Sequence, residues 1–367
     1  MKTWQQEIHL SLTHPLTEEL FTESTLFFDI ETTGFSPKHT NVYLIGCAVR
    51  KQKLMCITQF FSESLEDEKP LLLSFSQLVS QYNTLITFNG MGFDIPYLNG
   101  RYEHYMLPSP FHNFTYLDIF KSISPYKHVL KLVNLKQKTL EQFLGLSRND
   151  LYSGGDLINI YLDYVKSPNS SALLLLKLHN FEDVTGMQEL LPILSFVQLF
   201  KGNFELVSYE KRIYEKYEGY QGMELVFTLT PHFAIPKRFS YGFEDIYVTG
   251  FQDKVKLKVG IYQGELKYFY SNYKDYYYLT QEDMAVHKSV AFYVDKDYRT
   301  KAKAATCYSK KTGCFLPQYN ELFTPYFKLE YHDKILYFEM TEEFTNSTEA
   351  LQSYAAHLLQ VLLHAKS

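Results

Sequence analysis

Asp29 and Glu31 interrupt the apolar stretch TLFFDIETTGF, residues 25–35, and stand two residues apart. In a β-strand that spacing points both side chains to one face, so two carboxylates lie side by side. Like charges that close repel unless a cation lies between them, and oxygen donors of this kind suit a hard divalent ion. A third acid, Asp94, follows the apolar run TLITF and the Asn89-Gly90 turn in LITFNGMGFDIPYL. There a carboxylate can lean back over the edge of a sheet. A fourth acid, Asp183, comes four residues after His179 in HNFEDVTGM, which puts both on one face of a helix.

Each piece alone has an ordinary explanation. D-x-E can be a solvated pair beside a turn, N-G with Asp a simple turn, and a single helical His a structural residue. Together the pieces are specific: D-x-E on a first strand, an acid after a later strand and H-x-x-x-D on a late helix. In these motifs the chain resembles the DEDD 3′–5′ exonuclease superfamily, most closely its YprB-like ribonuclease H-like group. The resemblance runs over about residues 25–200 and includes the segments LVNLKQKTLEQFLGLSR and SGGDLINIY.

The resemblance implies that Asp29, Glu31, Asp94 and Asp183 hold two Mg²⁺ or Mn²⁺ ions. Two such ions, about 3.5–4 Å apart, clamp a scissile phosphate for in-line attack. It further implies that His179, neutral near pH 7, takes the proton of the attacking water. The chain departs from the histidine subclass, whose base stands five residues before the last acid. Here His179 has the four-residue spacing of the tyrosine subclass. The expected activity is a metal-dependent 3′–5′ exonuclease that releases nucleoside 5′-monophosphates from a single-stranded 3′ end. The alternative is an inactive nucleic-acid or partner-binding module on the same fold. DNA and RNA are both open, because that choice rests on contacts near the 2′ position. Nothing in the sequence names a helicase or repair partner.

The elements that must position these residues follow from periodicity. Residues 42–49 (VYLIGCAV) and 54–61 (LMCITQFF) read as strands joined closely to the first, an antiparallel meander. Pro70 marks a first helical turn, followed by Leu71, Phe75, Leu78, Val79 and Tyr82 at helical spacing. A fourth strand at 84–88 and a fifth at 114–119 alternate with helices near 93, 139–144, 157–165 and from 171 onward. This is an α/β fold, a ribonuclease H-like mixed sheet with flanking helices.

Beyond residue 203 short alternating segments predict strands at 254–261, 266–270, 290–294, 327–331 and 335–340. A final helix is predicted from the capping-box spacing of Asn346 and Glu349 and the stripe Leu351, Tyr354, Ala355, Leu358, Leu362. The expected organisation is an N-terminal segment 1–24, a ribonuclease H-like domain 25–202 and a strand-rich domain 203–367.

Substrate contacts are expected from Asn89 and from lysines in the acid-free stretch 119–140, with Lys127, Lys131 and Lys136 as candidates beside Lys121 and Lys138. A solvated face explains these lysines equally well. A second basic stretch, 296–311, carries Arg299, Lys301, Lys303, Lys310 and Lys311 among tyrosines. Such surfaces hold single strands, though tyrosines at strand spacing more often pack on a sheet.

Composition excludes several classes. A net charge of −5 does not suit a protein that coats nucleic acid by bulk electrostatics. The apolar runs are too short to span a bilayer, and the expected location is the cytoplasm. Four cysteines without a C-x-x-C indicate neither a zinc knuckle nor a disulfide framework. An aromatic share of 17% favours extensive β structure.

Overall fold

The alternating runs of the first half pair into one mixed sheet. The computed structural model describes residues 1–10, 14–150, 152, 154–215 and 221–365, so Ser153 of the SGGDLINIY segment lies outside the described residues. Contacts divide the chain into two compact units, Met1–Leu199 with Phe233–Arg238, and Phe200–His232 with Phe239–Ser367.

In the first unit the sheet has the order β1-β4-β3-β2-β5-β6. Its strands are β1 (Lys2–His9), β2 (Thr25–Thr32), β3 (Val42–Lys51), β4 (Leu54–Phe61), β5 (Thr84–Thr87) and β6 (Thr115–Asp118). β2, β3 and β4 form the expected antiparallel meander, while β5 and β6 run parallel to β2. β1 extends the sheet beside β4, although the sequence reading assigns residues 1–24 no element. It is an exposed edge strand with Gln5 and Gln6 at its centre, so it lacks the apolar alternation that marks a half-buried strand.

The helices are α1 (Pro15–Leu20), α2 (Glu68–Val79), α3 (Asp94–His104), α4 (Ile119–Ile123), α5 (Gln137–Leu144), α6 (Gly154–Lys166), α7 (Ser170–Leu190) and α8 (Leu194–Phe200). Leu26, Phe28 and Ile30 of β2 pack with Leu71, Phe75, Tyr97 and Leu98 from α2 and α3. On the other side Tyr43 and Phe61 pack with Leu157 and Tyr161 of α6 and Leu176 of α7. The intervening odd positions of β2, Asp29 and Glu31, therefore share a face opposite to the Leu26–Ile30 core.

A buried ion pair fixes the loop that follows β2. Glu68 accepts from Arg101 Nε at 2.7 Å and Nη2 at 2.6 Å, and also from the Asn41 amide and the Val42 N–H. Arg101 Nη1 donates to the Pro37 carbonyl at 2.6 Å. With both charges hydrogen-bonded on several sides, the desolvation cost is offset and the loop has one geometry.

Most of an eight-stranded sheet belongs to the second unit, residues 235–238 at the start of its β9 being grouped with the first. Its strands are β7 (Phe204–Glu215), β8 (Gln221–Pro231), β9 (Ile235–Phe243), β10 (Ile246–Gln252), β11 (Lys254–Phe269), β15 (Tyr308–Gln318), β16 (Tyr326–Phe327) and β17 (Leu336–Glu339). A small sheet of β12 (Tyr276–Leu279), β13 (Met284–His287) and β14 (Arg299–Lys301) precedes β15, with α9 (Lys288–Ala291) beside it; α10 (Glu342–Asn346) and α11 (Thr348–His364) close the chain.

Four sequence expectations change here, one of them the strand at 327–331, of which only Tyr326–Phe327 pairs as a strand, with a single bridge at Lys328. The segments 254–261 and 266–270 are one long strand, β11. Residues 290–294 are not a strand but the end of α9 and the turn after it, because Val290, Phe292 and Tyr293 are exposed and have no pleated surface to pack on. The cap of α11 is Ser347, whose hydroxyl accepts from Ala350 N–H, whereas Asn346 ends α10. The predicted apolar stripe of α11 is buried. Among the described residues no helix is long and apolar enough to cross a membrane.

Candidate active site

The β2–β3 register sets Asp29 opposite Gly46 and Glu31 opposite Leu44. A side chain at Gly46 would overlap the Asn180 amide, so the bare glycine lets α7 lie close over the strand. Asn180 donates from Nδ2 to Asp29 Oδ2 at 3.1 Å, and its Oδ1 accepts from Gln59 Nε2 at 3.0 Å. Asp29 is thus oriented by a side chain of β4 acting through one of α7.

β5 stops pairing with β2 at Phe27, which leaves the Ile30 N–H without a strand partner on that edge. Asp94, the first residue of α3, accepts that N–H at 3.1 Å, and this bond draws it to the acid pair. Asp118 has a different task. Its carboxylate accepts from Asn89 N–H and Met91 N–H at 3.0 Å each, and from Lys121 N–H at 3.1 Å. It caps α4 and holds the turn in which Asn89 adopts a left-handed φ of 63°.

α7 delivers His179 and Asp183 one turn apart. His179 Nε2 lies 3.1 Å from Asp183 Oδ2 and 3.4 Å from Glu31 Oε1, while Nδ1 lies 2.7 Å from Asp150 Oδ2. Donor atoms of Glu31, His179 and Asp183 all fall within 4.8 Å of one another, a spacing that one metal ion can bridge. Asp183 is held from behind as well. Arg148 pairs with its Oδ1 and with both oxygens of Glu141, and Gln137 Nε2 donates to the Asp183 carbonyl at 2.8 Å. Gly186 makes room for Glu141, whose carboxylate occupies the space a side chain there would fill.

The electrostatics divide this cluster. Burial, then repulsion from the neighbouring acids, pushes Asp29 and Glu31 well above the usual carboxylate range. Burial raises Asp94 to about 7 despite its bond from Ile30. Burial also opposes ionisation of Asp183, yet His179 and Arg148 outweigh it and hold this acid below its ordinary value. Burial disfavours the His179 imidazolium, but the hydrogen bonds and charges of Asp183 and Asp150 prevail and raise its pKa.

A cleft of about 620 Å³ opens onto Asp29 and Asp94. Asp29, Asp94, Asn89 and Lys136 line it with the rings of Phe35, Phe88, Phe93 and Phe120. Phe35 is 83% exposed and meets Phe93 edge-on at 6.1 Å. Aromatic faces beside acids can hold a base while the acids face its phosphate through cations.

Of the residues singled out from sequence, Glu31, His179 and Asp183 come together, Asp29 and Asp94 adjoin them, and Asn89 and Lys136 line the cleft. Lys127 and Lys131 are exposed and do not line it. Lys138 is committed elsewhere, 2.6 Å from Asp150 and 2.6 Å from the Tyr152 carbonyl. Sequence reasoning missed Asn180, Asp150, Arg148, Glu141 and the four phenylalanines. Asn180 adjoins His179 in sequence, Glu141 lies on α5 and Phe120 on α4, while Arg148, Asp150, Phe35, Phe88 and Phe93 join from loops and turns, and no periodicity marks any of them as site residues. The donor set, four carboxylates of which three are hard to ionise without compensation, fits hard divalent cations.

A family model of the RNase_H superfamily, RNase_H_2, matches residues 26–195, and the fold is ribonuclease H-like. No curated protein matches the chain. Among solved structures the chain is similar to the family B DNA polymerase from the hyperthermophilic archaeon Pyrobaculum calidifontis, with 16% identity, a TM-score of 0.39 and coverage of 68% of this chain and 35% of that one. It is also similar to Exonuclease I of E. coli in complex with a dT13 oligonucleotide, with 10% identity, a TM-score of 0.31 and coverage of 57% and 55%. The zinc-bound Exonuclease I–ssDNA complex of E. coli matches at 10% identity and a TM-score of 0.28, with coverage of 57% and 54%. The chain spans between about a third and just over half the length of these proteins.

Proposed function

We propose that this protein is a metal-dependent 3′–5′ exonuclease of the DEDD type, acting on single-stranded DNA or RNA and releasing nucleoside 5′-monophosphates. The observation that carries this reading is the convergence of Glu31, His179 and Asp183 within ligand distance, with Asp29 and Asp94 beside them at the floor of an aromatic cleft.

Asp29, Glu31, Asp94 and Asp183 would hold two Mg²⁺ or Mn²⁺ ions. Such ions acidify an attacking water, neutralise the scissile phosphate and stabilise the leaving 3′ oxygen. Gln59 and Asn180 keep Asp29 turned toward the cluster, and Arg148 and Gln137 keep Asp183 in place. His179 is the proton acceptor. Asp150 at Nδ1 fixes the tautomer that leaves Nε2 facing the acids. With Asp183 serving as a ligand, its charge would no longer help to hold a proton on the imidazole, and Nε2 could take one from water. The rings of Phe35 and Phe93 stack on the terminal base, and Lys136 meets a phosphate.

A denaturing-gel time course on 5′-labelled single-stranded DNA and RNA, with Mg²⁺, Mn²⁺ or EDTA, tests this reading. The expected result is a metal-dependent ladder that shortens from the 3′ end and is absent with Asp29→Ala. Intact oligonucleotide in every lane would overturn it.

A further inference from the structure

The small sheet β13-β12-β14 has a core of Ala285, Ala302 and Cys307, flanked by Tyr270, Tyr276 and Tyr278. Large apolar side chains next to this sheet are exposed. Phe292 is 74% exposed, Tyr293 87%, Val290 57% and Tyr298 47%. Single exposed apolar residues are ordinary, but four within nine residues form a patch that calls for an occupant.

The patch stands on ordered backbone. Phe292 N–H donates to the Lys288 carbonyl at 3.2 Å, Tyr293 N–H to Val290 at 3.2 Å and Val294 N–H to Ala291 at 3.1 Å. Arg299 donates to the Ala291 carbonyl while lying over the Tyr277 ring at 5.2 Å, which ties the turn to β12 and β14. The rings of Phe292 and Tyr293 are 5.6 Å apart and perpendicular, so each offers a face of its own.

The charge around the patch selects its occupant. Lys288, Lys296, Arg299, Lys301 and Lys303 outnumber Asp295 and Asp297 between residues 288 and 303. Lys288 pairs with Asp275. Lys296, Lys301 and Lys303 are exposed and make no ion pair among the described residues. The lysines of the basic stretch that lie in β15 are spent, Lys310 on Asp283 and Lys311 on Glu339. α9 has four residues, too few for the long amphipathic face that a membrane-surface helix needs. Exposed rings with unpaired lysines match the bases and phosphates of a single strand.

We propose that this lobe is a second nucleic-acid contact, a stacking platform that takes bases of a single strand on Phe292 and Tyr293 and its phosphates on Lys296, Lys301 and Lys303. The identity of the polymer rests on the function proposed above. The platform is sequence-tolerant, since every base has a face to stack.

The test is fluorescence anisotropy of labelled oligothymidylate and oligouridylate with the full chain in EDTA, where no cleavage occurs. Phe292→Ala with Tyr293→Ala is expected to raise Kd roughly tenfold or more with an unchanged salt slope. Lys296→Ala with Lys301→Ala and Lys303→Ala is expected to flatten the log–log salt slope by about two. Phe292→Trp with Tyr293→Trp retains affinity, which separates stacking from misfolding. Unchanged Kd and slope in both alanine variants would overturn the platform. So would loss of binding to phosphatidylglycerol vesicles in the aromatic variant while its oligonucleotide affinity stays at the wild-type value. Strand binding through these residues without cleavage in Mg²⁺ or Mn²⁺ would sink the exonuclease and leave the platform standing. Cleavage with binding insensitive to all five positions would do the reverse.

Discussion

Two groups of acids in this molecule face opposite electrostatic problems. Asp29, Glu31 and Asp94 are buried in one cluster, and burial, with repulsion from neighbouring acids, pushes all three upward. Asp283, in the turn between β12 and β13, is met by Lys310 Nζ at 2.5 Å, Tyr278 Oη at 2.5 Å and Tyr308 Oη, and these partners hold it far below its ordinary value. One set of carboxylates has its compensation built into the chain. The other has polar groups that orient it but too little positive charge to neutralise it, which is the arrangement expected of a cation site rather than a structural ion-pair network.

The largest expected effect separates the two sets by activity and stability together. Asp29→Asn should lower turnover at least about a thousandfold, because a metal ligand contributes several kcal/mol to the transition state. The same change removes a repelling charge, so its Tm in EDTA should equal or exceed that of the wild type. A Tm lowered by many degrees would make Asp29 structural and dissolve the contrast. Next comes Asp150→Asn, which leaves every proposed ligand in place but weakens the orientation of His179. Turnover should fall roughly ten- to a hundredfold, with a smaller change in KM. Equal loss through KM alone would show that Asp150 shapes the cleft rather than the imidazole.

Linkage gives a third expectation. Acids raised in the folded state hold protons that the unfolded chain has already released, so stability is lost as pH rises from the ordinary carboxylate range through the pKa of Asp94, about 7. His179, also raised, acts in the same direction: its contribution is present below its unfolded pKa and lost as pH rises through the folded one. Thermal melts in EDTA should therefore show Tm falling from about pH 5 to about pH 8. Saturating Mn²⁺, in place of the protons, should raise Tm most at the upper end and flatten the trend. A trend unaffected by Mn²⁺ would mean that the acids do not share a cation.

The smallest effect belongs to Asp283, which is 44% exposed. Its depressed pKa contributes stability above the unfolded value that is lost as pH falls through the folded one. Solvent screening limits this to about 1 kcal/mol or less. Asp283→Asn should thus lower Tm slightly at neutral pH, opposite in sign to Asp29→Asn in EDTA, and denaturation curves of the two variants side by side measure the contrast.

What the sequence by itself determined is what short-range geometry controls. The strand period of two puts Asp29 and Glu31 on one face, and the helical period puts His179 and Asp183 one turn apart. The antiparallel meander and the alternating helices and strands after it were legible from the same periods and from the short connections between the first strands. Only the tertiary structure decided the rest. Asp94 reaches the acids because β5 ends early and frees the Ile30 N–H. Asn180 reaches Asp29 because Gly46 admits α7. Asp150 and Arg148 come from a loop between helices, and Phe35 from the loop after β2. The exposed rings of Phe292 and Tyr293 stand where sequence pattern predicts a strand. Their neighbours are chosen by close packing and by the need to satisfy buried polar groups, long-range conditions that leave no period in the chain.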